Sequence, residues 1–221
     1  MTQTEYKIYI DDVIRRVESA RLKVSDHHIV KIVAVSKYST SDEIEKLYAI
    51  GQRAFGENKV QDLKTKATEL EELPLEWHFI GNLQKNKINN LIDLNPTLFQ
   101  GLDSLELAQE MQKKLVAKES TMDCLLQINS AKEESKHGVM PEDALEVYKE
   151  IQNSCPNIHL KGVMSIGAHT DDTDVIKKSF ETTHEIFKQL PDAKYCSMGM
   201  SGCDFCSFVV LAVESRSCRD R

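Results

Sequence analysis

The sequence predicts an α/β protein built as one (β/α)8 barrel, with an eighth strand that is atypical or incomplete. Short apolar runs alternate with helix-period segments seven times over, which implies a parallel sheet covered by helices. The 221 residues hold those seven units with room for part of an eighth. No linker or low-complexity tract interrupts them, so residues 1–221 read as a single domain in which 203–221 stand apart as a divergent tail. An open doubly wound sheet is the competing architecture, and the number of units favours the closed barrel.

The elements follow in order. Residues 1–23 form a leading helix with Ile10, Val13, Ile14 and Val17 on its buried face. Residues 29–36 (IVKIVAVS) are β-branched and too short for a buried helix, so they form the first strand. Thr40 to Glu43 make a capping box, Ile44, Leu47 and Tyr48 share a helix face, and Gly51 is the stop. A strand over 53–56 precedes a helix whose apolar face is Val60, Leu63, Ala67 and Leu70 and which ends before Pro74. Strands over 76–80, 97–102, 122–129 and 159–164 continue the pattern, with a seventh starting at 194–197. Pro141 opens the helix of Ala144, Leu145 and Val147, and a long helix runs over 175–189 to Pro191.

Composition narrows the function. A formal charge of −7 and a pI near 5.6 argue against a nucleic-acid or anionic-membrane partner, which needs a basic face. No stretch reads as a secretory signal or a membrane span, so the six cysteines read as reduced thiols of a cytoplasmic protein. Cys203 and Cys206 make one C-x-x-C without a second pair, which favours incidental cysteines over a metal site.

In a (β/α)8 barrel the chemistry sits at the C-terminal ends of the strands. Lys37 ends the first strand, Glu57 and Asn58 the second, and Ser197-Met198-Gly199-Met200-Ser201-Gly202 follows the seventh. An amine shielded from water at a strand end is a nucleophile toward an aldehyde, against the alternative of a lysine that reaches out to solvent. The Ser/Gly run offers hydroxyls and open N–H groups where barrels bind phosphate, against the alternative of a plain turn. Together they suggest a phosphorylated aldehyde, for which pyridoxal 5′-phosphate is the obvious candidate. Asn58 could hydrogen-bond the ring's phenolic oxygen. His78, alternating with Trp77 and Phe79, reads as a core histidine, and Met164 and Ser165 as wall residues.

AVSKYST, FGENKVQD, WHFIGNLQKNK, the QIN of 127–129 with Lys136-His137-Gly138, GVMSIG and SMGMSG stand in the order seen in the pyridoxal phosphate homeostasis proteins. From about residue 10 to Gly202 the chain resembles that family, whose fold is related to the N-terminal barrel of alanine racemase. The resemblance implies pyridoxal phosphate held as a Schiff base on Lys37, Asn58 near the ring, and Ser197 and Ser201 in the phosphate site. It also implies a carrier that buffers the cofactor and delivers it to apo-enzymes, without turnover of its own. A small Schiff-base enzyme such as an amino-acid racemase or an aldolase is the alternative. After Gly202 the likeness fails: nothing matches the family's last strand, and Phe208 to Val213 is the stretch left to fill the eighth position.

Overall fold

A computed structural model describes residues 1–24, 29–133 and 136–199, and the backbone of 207–213. The element order is α1 (Gln3–Arg21), β1 (Ile29–Val35), α2 (Ser41–Ala49), β2 (Ala54–Glu57), α3 (Val60–Glu69), β3 (Glu76–Phe79) and α4 (Ile88–Leu94). There follow β4 (Leu98–Leu102), α5 (Leu105–Ala117), β5 (Met122–Ile128), α6 (Ala144–Ser154), β6 (Ile158–Ile166), α7 (Thr173–Lys188), β7 (Tyr195–Gly199) and β8 (Ser207–Val213). The eight strands close in sequence order into a barrel.

Strands β1 to β7 pair in parallel, whereas β8 runs antiparallel to both neighbours, with Val35 opposite Ser207 and Gly199 opposite Val209. Connection length explains the reversal. Only residues 200–206 separate β7 from β8, and a parallel crossover needs a dozen or more. The stretch expected to fill the eighth position, Phe208 to Val213, thus does so within β8, and it pairs with both β1 and β7.

The capping box at Thr40 is present, with the Glu43 N–H donating to Oγ1 and Glu43 Oε2 accepting from the Thr40 N–H. Two local expectations are modified. On α1, Tyr6 and Ile10 are buried and Val13 and Val17 half-buried, while Ile14 is exposed. Pro141 lies in a turn, and α6 begins three residues later at Ala144.

The main core lies between the sheet and helices α3 to α7, where the Phe79 and Phe99 rings sit 5.7 Å apart. A smaller cluster of Tyr6, Ala34, Ile44, Leu47 and Phe55 joins α1 and α2 to the barrel. Inside the barrel, Leu98, Leu125 and Met164 form an apolar plug. Strand parity thus separates helix-facing Phe55, Phe79 and Phe99 from inward Gly56, His78 and Gln100.

Candidate functional site

Strand β1 ends at Val35 because Ser36 leaves the ladder and starts a turn: the Ser36 N–H donates to the Gly56 carbonyl (2.9 Å), and the Ser39 N–H donates to the Ser36 carbonyl (2.9 Å). Lys37 occupies that turn. It is half-buried rather than buried, two residues past the strand, and its Nζ lies 5.1 Å from the ring centroid of exposed Tyr38. Burial is therefore not what distinguishes it; its place on the rim is.

Val35 pairs with Gly56, so Lys37 and Asn58, each two residues further on, take neighbouring rim positions of the same parity. The structure thus brings together two of the four expected site residues. Asn58 is half-buried and held close to the next strand end. A Cβ on Gly81 would lie 2.0 Å from the Asn58 carbonyl oxygen, and one on Gly101 would lie 2.3 Å from the Gly81 carbonyl oxygen. Glycine at these two positions lets the ends of β2, β3 and β4 close up with no side chain between them.

Below the rim lies a polar floor. The buried Ser197 hydroxyl donates to Gln100 Oε1 (2.6 Å), and the Gln100 amide nitrogen is 2.8 Å from His78 Nδ1. With Gln100 Oε1 taken up by Ser197, its NH2 must donate to Nδ1, which puts the imidazole proton on Nε2. Ser197 therefore forms part of the floor through its bond to Gln100. Ser201, the other expected phosphate residue, and the C-x-x-C of Cys203 and Cys206 lie outside the described residues.

Burial, and after it the charge of Lys31, push the His78 pKa from 6.5 down to about 4, with Glu76 opposing weakly. Protonation would also place a second proton against the Gln100 NH2. The folded pKa lies below the unfolded one, so the stabilisation is fully present above pH 6.5 and is lost as pH falls toward 4. At about 1.4 kcal/mol per unit the loss is about 3 kcal/mol. Urea midpoints between pH 7 and pH 4 should fall more steeply for the wild-type chain than for His78→Phe. Parallel curves would contradict a buried neutral imidazole.

Behind the Lys37 turn lies an ion pair that the sequence reading did not pick out. Lys66, on α3, is buried, and its Nζ donates to Glu57 Oε1 (2.7 Å) and to the Ser36 carbonyl (2.6 Å). Ser36 Oγ donates to the same Glu57 oxygen (2.6 Å). Its one sequence signal is its spacing: Lys66 follows Leu63 by three and precedes Leu70 by four, on the apolar face of α3.

On the far side of the rim, the loop after β5 folds back on the strand. The Val139 N–H donates to the Gln127 carbonyl (2.8 Å), and the Val139 carbonyl accepts from the Asn129 N–H (2.9 Å). Gln127 Nε2 donates to the His137 carbonyl (3.0 Å), and Lys136 Nζ donates to the Gly167 carbonyl (2.7 Å). The QIN and Lys136-His137-Gly138 motifs thereby tie β5 to β6. Among the described residues no cluster of His, Cys, Asp or Glu could hold a metal ion, and no helix is long and apolar enough to cross a membrane.

The sequence model of the family described as "Alanine racemase, N-terminal domain" matches residues 8–209. The pyridoxal phosphate homeostasis protein of Helicobacter pylori (strain ATCC 700392 / 26695) is 55% identical over 197 residues, covering 89% of each chain. The structure of PipY from Synechococcus elongatus PCC7942 with PLP bound superposes with a TM-score of 0.68 at 28% identity, covering 85% of this chain and 89% of that one. An alanine racemase of Clostridium difficile 630 shares the fold, with a TM-score of 0.60 at 14% identity, but is matched over only 45% of its length. Family match and relatives agree: the chain belongs to the pyridoxal phosphate homeostasis protein family, on the alanine racemase N-terminal barrel.

Proposed function

We propose that this chain is a cytoplasmic carrier of pyridoxal 5′-phosphate, held covalently through the Lys37 amine, that buffers the cofactor and delivers it to apo-enzymes without turnover of its own. The observation that carries the reading is the register of β1 and β2, which sets Lys37 and Asn58 side by side on the rim above the Gln100–His78–Ser197 floor.

The residues present fit the cofactor. Lys37 supplies an amine that is half open to solvent, so a ligand can reach it without unfolding the rim. Asn58 offers an amide that can donate to the ring's phenolic oxygen. The floor ends in a neutral histidine, so no fixed charge lies beneath the ring. Ser197 and Ser201 are the proposed phosphate residues, and Ser197 also holds Gln100. When bound, the cofactor supplies an electron-withdrawing ring that stabilises negative charge on an attached carbon.

Support for a carrier comes from the name of the relatives, pyridoxal phosphate homeostasis protein. The buried thiols Cys124 and Cys155 suit a reducing cytoplasm. Residues 1–221 are proposed to act as one domain.

The test is to load the purified chain with pyridoxal phosphate and follow near-visible absorption and alanine racemisation together. A lasting absorption band with racemisation no faster than free cofactor is expected. A single general base is worth about 10²–10⁴-fold, so rapid racemisation that requires Lys37 would replace the carrier reading with an enzyme.

A further inference from the structure

We propose that Lys66 and Glu57 are positioning residues that set the orientation of Lys37 from the helix side of the sheet, by clamping the peptide bond that joins Ser36 to Lys37. The consequence for the cofactor rests on the reading of Lys37 given above; the clamp itself does not.

Every polar group of Ser36 is engaged. Its N–H donates to the Gly56 carbonyl (2.9 Å) and its hydroxyl to Glu57 Oε1 (2.6 Å). Its carbonyl, which belongs to the Ser36–Lys37 peptide, accepts from the Ser39 N–H (2.9 Å) and from Lys66 Nζ (2.6 Å). The rotation that would swing Lys37 breaks at least one of these bonds. Two of the partners are the members of a buried pair, in which the Glu57 side chain is fully shielded and that of Lys66 is 11% exposed. A charge-assisted bond in such surroundings is shorter and stronger than one between neutral groups.

The parity of β2 makes the arrangement directional. Gly56 faces the barrel interior, so Glu57 faces the helices, where α3 delivers Lys66. Neither side chain is on the cofactor side. They act through the backbone of the turn, which fixes how far Lys37 stands from a ring lying next to Asn58. Geometry at this level governs rate: a misplacement of about 1 Å in a reacting group can cost about 10²-fold.

A purely structural ion pair and a positioning clamp respond differently to replacement by an apolar pair. Exchanging a buried pair for hydrophobic residues of similar volume is often neutral for stability. In the full-length chain, Glu57→Leu with Lys66→Met should therefore melt close to wild type, yet take up pyridoxal phosphate about tenfold to a hundredfold more slowly in the near-visible band. Its Ser39 amide should also exchange with solvent faster than in wild type. A stable double variant with wild-type uptake and wild-type Ser39 exchange would overturn the proposal. If the double variant fails to fold, Ser36→Ala carries the test, because it removes only the hydroxyl's contacts, to Glu57 (2.6 Å) and more weakly to the Gly56 carbonyl (3.4 Å). Faster Ser39 exchange and slower uptake at an unchanged melting temperature are then expected, and unchanged values overturn the clamp. Ser39 exchange is read without cofactor. A wild-type chain that never takes up pyridoxal phosphate at Lys37 would thus sink the functional reading and leave the clamp to be judged on exchange.

Discussion

Gly81→Ala is expected to destabilise the chain by at least about 3 kcal/mol, the upper end of what overpacking typically costs. The added methyl carbon would lie 2.0 Å from the carbonyl oxygen of Asn58, 2.7 Å from its carbonyl carbon and 2.7 Å from its Cα. All three are backbone atoms, so no side chain can turn away. The end of β3 must part from the end of β2, and Asn58 moves with it. Gly56→Ala is the control, because its nearest neighbours are the tips of Ile80 and Val33 at 3.2 and 3.4 Å, which can yield. Urea denaturation of both variants should show a much larger drop in midpoint for Gly81→Ala, together with weaker cofactor uptake. Equal midpoints would mean that the strand ends are not packed backbone to backbone.

The second large effect is expected from Lys66→Met alone. It leaves Glu57 fully buried with its cationic partner gone, and breaking a buried pair from one side costs about 3–5 kcal/mol. The cost should be largely recovered when Glu57→Leu is added, since an apolar pair asks for no desolvated charge. Four-way comparison of wild type, the two single variants and the double variant by urea denaturation measures the coupling directly. Losses that simply add would place Lys66 and Glu57 outside each other's reach, contrary to the 2.7 Å contact.

Most of the barrel was legible in the sequence because parallel strands covered by helices leave a distinct mark: short apolar runs, each followed by a capped helical stretch. The strand direction of β8 was not legible. Phe208 to Val213 reads as a strand in either sense, and what decides it is the length of the preceding connection. Lys37 and Asn58 could be placed on the rim because they follow the ends of β1 and β2 by two residues and one, where barrels gather their chemistry. Lys66 could not, since a lysine on a helix reads as solvated until a buried carboxylate is placed opposite it. Ser197 was placed at the phosphate because its motif is Ser/Gly-rich. What the motif does not announce is that strand parity turns its hydroxyl inward to Gln100, a partner 97 residues away.

The central claim is that Lys37 is the residue that carries the cofactor. Loading the wild-type chain with pyridoxal phosphate, reducing with borohydride and mapping peptides by mass spectrometry tests it directly. The account predicts a pyridoxyl increment on the peptide containing Lys37, and loss of both the increment and the near-visible band in Lys37→Ala. An increment on Lys66, Lys136 or another lysine with Lys37 unmodified would contradict it.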